Sequence, residues 1–330
     1  MSMNRRAKAH YSSCAVHLLV FVFLLCLLCL IFFLVKWIIM PDPSSVREHT
    51  KSASDNHNLE NPDPAITAAD RLPVGWVEQQ MGSEAIHHGT LVLVNSDYGF
   101  VPDAASAVSV WEHKNTRYLV KDIYLSLDPA VIDWLNAWME AFFEETGCND
   151  VNVVAGYRSI EDQQQLYDNA VLNKGQSHAD RYLALPGHSE HHTGLALDLN
   201  IVDVENGTSR DFVGSGDYIW ATDHAWEYGF VQRYPVSKSS ITGIDYESWH
   251  YRYVGLPHAW YMWENNLCLE EYIALLSSYP FDGEHLFVEC KENRYEIYFC
   301  PGSIAVVPEQ GEYTVSGNNV DGLIVTVTLH

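Results

Sequence analysis

Basic side chains are scarce: 19 Lys and Arg stand against 43 Asp and Glu over 330 residues, a formal net charge of −24. The shortage sharpens beyond residue 40, because residues 1–40 hold four of the basic side chains and no acid. That leaves 15 basic against 43 acidic residues in the remainder, about −28. A surface of this sign repels phosphate backbones and anionic lipid headgroups, which excludes nucleic acid as a partner. Helical H-E-x-x-H is missing as well, so any zinc ligands must come from separate segments. Of seven cysteines, Cys148, Cys268, Cys290 and Cys300 lie beyond residue 40, and none of these has the C-x-x-C spacing of a structural zinc site. They could form disulfides in an oxidising compartment, with their pairing left open. No repeat of fixed period is present.

What the sequence does have begins with an uninterrupted apolar run from Leu18 to Val35, preceded by Arg5, Arg6 and Lys8 and followed by Lys36 and Trp37. At about 1.5 Å per residue the run nearly crosses a hydrocarbon core of roughly 30 Å, with Trp37 at an interface and Lys36 free to snorkel. No small-x-small cleavage site follows it, so an uncleaved anchor over 18–40 is expected rather than a signal peptide. The positive-inside rule then leaves residues 1–17 in the cytoplasm and the rest outside, as a single-pass membrane protein. Residues 41–80, rich in Pro, Ser, Asp and Asn, read as a flexible stalk.

The folded part is expected over 81–281. "TLVLVNSDYGFVP" reads as a short strand ended by a turn. "DPAVIDWLNAWMEAFFEETG" reads as a helix with Asp128 as cap, Pro129 in its first turn and Gly147 as its stop. Strand "VNVVAGYRS" leads to Arg158, and Ser159 with Asp162 caps the helix "EDQQQLYDNAVLN". Further strands are "GLALDLNIV", "FVQRY" and "SWHYRYVG", with a short helix around "YIWATDHAWEYG" and a long one from about Leu256 to Leu276. The pattern is α+β with a mainly antiparallel sheet and flanking helices. Residues 282–330 read as a small β-rich appendage.

The chemistry concentrates in "SEHHTGLALD", residues 189–198. Two histidines and one carboxylate suffice for a catalytic zinc, since the ion keeps a fourth position free. His191 and Asp198 reach one cleft if the chain turns at Gly194 and then runs as a strand. His192 stays open as an alternative to its neighbour on these grounds alone. A second nitrogen is available from His250 in "DYESWHYRYVG", where a turn-like backbone through Ser248 and Trp249 would bring Glu247 to the same place as a base. Arg158 offers a planar bidentate donor for a free carboxylate. Gln163, one turn into the capped helix, faces the same cleft or else solvent. Ser189 either joins the cleft or turns the chain, and Trp249 serves as cleft wall or core aromatic.

Together, "GYRS", "SEHHTGLALD", "GFVQRYP" and "TGIDYESWHYRYVG" resemble the zinc-dependent D-alanyl-D-alanine carboxypeptidases of the VanY type, over roughly residues 84–280. The wider group includes VanX-type dipeptidases and L,D-carboxypeptidases. The resemblance implies a hedgehog/DD-peptidase-like fold, one zinc ion held by His191, Asp198 and His250, and Glu247 as catalytic base. It implies that Arg158, Gln163 and Ser189 contact the substrate's terminal carboxylate or scissile carbonyl. The expected function is a membrane-anchored, outward-facing D,D-carboxypeptidase that takes the terminal D-Ala from peptidoglycan stem peptides. An L,D-carboxypeptidase or cross-bridge endopeptidase would use the same chemistry. A non-catalytic wall-binding module would be favoured by loss of Glu247 or a ligand, and none is missing.

Overall fold

The structure, a computed structural model, describes residues 72–102 and 107–329. The expected cytoplasmic segment, the anchor and the stalk as far as residue 71 lie outside the described residues. No helix among the described residues is long and apolar enough to cross a membrane.

In chain order the elements that build the fold are β1 (Trp76–Gln80), β2 (Val108–Ser109), β3 (Leu119–Val120), β4 (Ser126–Leu127), α1 (Pro129–Thr146), β5 (Val151–Ala155), α2 (Ile160–Lys174) and α3 (Gln176–Tyr182). There follow β6 (Ala196–Asp203), β7 (Thr208–Asp211), α4 (Ile219–His224), β8 (Phe230–Tyr234), β9 (Glu247–Tyr253), α5 (His258–Glu264) and α6 (Leu269–Leu276). The chain closes with β10 (Leu286–Cys290), β11 (Asn293–Pro301), β12 (Ile304–Pro308), β13 (Glu312–Gly317) and β14 (Gly322–Leu329).

The central sheet runs β3-β5-β6-β9-β8, with β7 paired to the far half of β6. Every pairing is antiparallel except β3 with β5, so the α+β expectation with a mainly antiparallel sheet holds. α1 covers the sheet. Asp128 accepts from the Ala130 amide at its start, Gly147 ends it in the left-handed region, and Val131, Ile132, Leu135, Trp138, Met139 and Phe142 form its buried stripe. Each such side chain contributes roughly 1.5–3 kcal/mol on leaving water, which is what docks the helix. α2 opens on Ser159, whose hydroxyl accepts from the Asp162 amide, as the sequence predicts.

The C-terminal strands form a four-stranded sheet, β10-β11-β14-β13. It shares a core with α5 and α6, where Leu269, Ile273, Leu286, Val288, Ile297 and Ile324 meet. β12 pairs with β1, so the last five residues of the stretch read as a stalk are a strand opposite Ile304–Pro308.

Two expectations are corrected. Residues 90–94 join no ladder among the described residues; Leu91–Val94 are buried, and the Thr90 and Val92 carbonyls accept from Arg252 instead of from a strand. The expected long helix is two, broken where Asn266 takes φ 49, a conformation asparagine tolerates better than most residues. α6 then restarts from Cys268, whose amide is accepted by Glu271 at 2.9 Å. All four described cysteines are free thiols.

Candidate metal centre and substrate cleft

The site is assembled by strand register. In the β6–β9 pair, Asp198 stands directly opposite His250. Opposed residues on one face of an antiparallel pair have Cβ atoms about 5 Å apart. The His250 Nδ1 accordingly lies 2.9 Å from Asp198 Oδ1. His191 arrives from the other side, on a 3-10 turn (Glu190–Thr193) that precedes β6. Ser189 begins that turn by accepting from the His191 amide at 3.3 Å. Gly194 ends it at φ 71, and its carbonyl accepts from the Asp128 amide at 3.0 Å. A Cβ there would lie 3.1 Å from that amide nitrogen. The His191 Nε2 comes to rest 3.4 Å from Asp198 Oδ2.

His191, Asp198 and His250 each offer one ligand atom, and these atoms lie within 4.8 Å of one another. The surroundings fit a cation there. The His191 Nδ1–H donates to the Gly156 carbonyl at 2.7 Å, which leaves Nε2 free to ligate. His250 uses the opposite nitrogen: Nδ1 faces Asp198, while Nε2 points at Glu190 Oε2, 3.6 Å away. Both of those last atoms are buried without a hydrogen-bond partner. They are the arrangement of a ligating imidazole backed by a carboxylate, loosened by a fraction of an ångström.

Sequence reasoning missed Glu190 and its supports. Its Oε1 accepts from Arg233 Nε at 2.8 Å and from Arg252 Nη1 at 2.9 Å, with all three residues buried. Arg233 also binds Glu270, and Arg252 the strap carbonyls of Thr90 and Val92. A sequence signal existed, because "FVQRY" and "HYRYVG" each set an arginine inside an apolar strand, and a buried arginine demands a carboxylate. Burial opposes the Glu190 charge, but the two guanidiniums win and hold its carboxyl well below the usual range.

Glu247 opens β9 and brings Oε2 to 3.8 Å from His250 Nδ1. The segment is extended strand, not the expected turn; a register shift against β8 between Gln232 and Tyr234 accompanies this end of it. Burial, with Asp198 nearby, raises the Glu247 carboxyl to about 7. Asp198 and His191 are shifted the other way. Against the cost of burial, His191 and His250 keep Asp198 far below the ordinary carboxylate range. Burial lowers His191, keeping the neutral form a metal needs.

Arg158 donates from Nη1 to Gln163 Oε1 at 2.7 Å, and its Nη2 is 3.9 Å from Asp198 Oδ2. Gln163 in turn donates to the Ala184 carbonyl at 2.7 Å and is buried, so it fixes the guanidinium rather than facing solvent. His192 is resolved as structural: Nδ1 meets the Arg158 carbonyl at 2.7 Å and Nε2 accepts from the Gly187 amide. Trp249 is half-buried; it packs on the core and also lines the cleft. Tyr234, not foreseen, sets its ring 4.9 Å from the His250 ring and forms another wall. Arg158, Gln163, Ser189, Trp249 and Tyr234 line one cleft of about 690 Å³.

A family model described as VanY, D-alanyl-D-alanine carboxypeptidase, matches residues 126–256. A D-alanyl-D-alanine carboxypeptidase of Enterococcus faecium is 32% identical over 265 residues, covering 76% of this chain and 78% of the relative. The bifunctional D-Ala-D-Ala dipeptidase and D-Ala-D-Ala carboxypeptidase VanXYC of Enterococcus gallinarum is 36% identical over 157 residues, 46% of this chain and 78% of that protein. Among solved structures, the vancomycin resistance D,D-dipeptidase VanXYg, in complex with a D-Ala-D-Ala phosphinate analog, aligns with a TM-score of 0.66 at 34% identity. That alignment covers 77% of this chain and 98% of the other.

Proposed function

The chain belongs to the VanY family of D-alanyl-D-alanine carboxypeptidases, and from that premise we propose that it removes the terminal D-alanine from peptidoglycan stem peptides using one zinc ion. The observation that carries the reading is the convergence of His191, Asp198 and His250 on one point, with Glu247 beside them. Two nitrogens and one carboxylate oxygen make a donor set that suits zinc and leaves a position open.

Bound at this triad, zinc supplies Lewis acidity toward a carbonyl oxygen and makes a water more acidic. The remaining work belongs to the chain. Arg158, fixed by Gln163, receives the substrate's terminal carboxylate. Its closeness to Asp198, 3.9 Å, allows only a short stretch of substrate between that carboxylate and the scissile carbonyl. This is why the reading is a carboxypeptidase rather than an endopeptidase. Glu247 accepts the proton of the attacking water and returns it to the leaving amine, a task matched by a carboxyl raised to about 7. The Ser189 hydroxyl, already accepting from the His191 amide, keeps its own proton to donate toward the substrate. Trp249 and Tyr234 both wall the cleft, Tyr234 with its ring 4.9 Å from that of His250.

In this reading the apolar run Leu18–Val35 anchors the chain in the bacterial cell membrane with the peptidase domain outside, where its substrate lies. Protease added to intact cells should then degrade the domain.

The direct test is product identity. The zinc-loaded enzyme should release D-alanine from a pentapeptide ending in D-Ala-D-Ala. Release only from tetrapeptides would select the L,D reading, and release from neither would overturn the proposal.

A further inference from the structure

The cleft does not stop at the metal centre. α2 lines it lengthwise through Gln163, Leu166, Ala170 and Lys174, at spacings of three and four residues that keep one helix face turned to it. At roughly 1.5 Å per residue, Lys174 lies about 16 Å along the helix from Gln163, near five residues of extended peptide at about 3.4 Å each. With the terminal carboxylate at Arg158, that length belongs to the acyl side of the substrate. Lys121, following β3, lines the same cleft beside Val154 and Ala155 of β5.

Charge singles these two lysines out. Every other lysine and arginine among the described residues holds a carboxylate, an aromatic face or an amide oxygen. Lys121 and Lys174 have no such partner, although beyond residue 40 acids outnumber bases 43 to 15. Both line the cleft, where the only acids among the described residues are Asp198 and Glu247 at the metal centre. In a chain this acidic, two unpaired cations in the one groove that receives substrate are placed for an anion.

We infer that Lys121 and Lys174 form a subsite for a free carboxylate on the acyl-side part of the substrate, within about five residues of the scissile bond. The inference rests on the carboxypeptidase reading and adds a specificity to it: stem peptides with an unmodified acidic residue are preferred over the same peptides with that acid amidated.

The experiment compares two synthetic pentapeptides ending in D-Ala-D-Ala that differ only in a carboxylate or a carboxamide at the upstream acidic residue. A short N-acyl-D-Ala-D-Ala serves as a third substrate. In the wild-type enzyme at low salt, KM for the acid should be about three- to tenfold below that for the amide, with kcat alike, the size expected for exposed pairs. The ratio should shrink on raising salt to 1 M. It should fall to near one in the Lys121→Gln, Lys174→Gln double variant, whose folding is checked by its thermal midpoint. Equal KM values in the wild type, or a ratio that survives the double variant, would overturn the subsite. Turnover of the short substrate together with either result leaves the carboxypeptidase reading standing; no turnover of any of the three removes both.

Discussion

Glu190 and Glu247 are two buried carboxylates a few ångströms from the same imidazole, and their surroundings drive them apart. Two arginines keep Glu190 charged, while burial without such a partner raises Glu247 to about 7. The first is therefore suited to brace His250 and the second to move a proton. Glu247→Ala should lower kcat by about 10²- to 10⁴-fold, the usual value of a general base. Zinc content by mass spectrometry should be unchanged, because Glu247 is not among the three ligands. Glu190→Gln should instead weaken zinc by roughly 10- to 100-fold in a chelator competition, as outer carboxylates of metal-bound histidines do. A purely structural role for Glu190 would lower the thermal midpoint and leave that affinity alone. His191, Asp198, Glu247 and His250 were legible because they lie in two short stretches. Glu190 was not, since the arginines that give it meaning are 43 and 62 residues away.

At the scale of elements, the centre depends on how β6 is entered and on its register with β9. Gly194 is the hinge of that entry: φ 71 is open to glycine, and a Cβ would crowd the Asp128 amide at 3.1 Å. Gly194→Ala should cost about 1–3 kcal/mol in denaturant melts and, by tilting His191 from Asp198, also weaken zinc. An unchanged midpoint would show that the turn relaxes freely. α1 and α2 were readable because their caps and apolar spacing are local. Two elements were not. The strap at 90–94 has a strand's composition, but its carbonyls are taken by Arg252, a contact made across 160 residues. β9 looked like a turn at Glu247 because three-residue spacing on a regular strand puts side chains on opposite faces, and the irregular register against β8 lies beyond local pattern.

Over the whole molecule, the C-terminal sheet is part of the support for the site. Asn319 donates to the Leu93 and Gly99 carbonyls, pinning the strap whose carbonyls hold Arg252, and Arg252 holds Glu190. His258 makes a second junction, bonded to Tyr272 of α6 and Thr326 of β14. Burial lowers its pKa to about 3. The depressed value means that the unfolded chain binds the proton first. The contribution of His258 is thus full above about 6.5 and is lost as pH falls toward 3, at most about 1.4 kcal/mol per pH unit. His258→Gln should flatten the acid limb of a stability-against-pH curve between those values, and an identical slope would refute the assignment. The appendage was legible as β structure, whereas its service to the metal centre was not, because it runs through backbone carbonyls that carry no sequence signature. X-ray absorption at the zinc edge of the loaded protein tests the central claim most directly. One ion per chain with two imidazole nitrogens and carboxylate oxygen at about 2.0–2.2 Å is predicted. Sulfur in the coordination sphere, or a spectrum unchanged in His250→Ala, would contradict it.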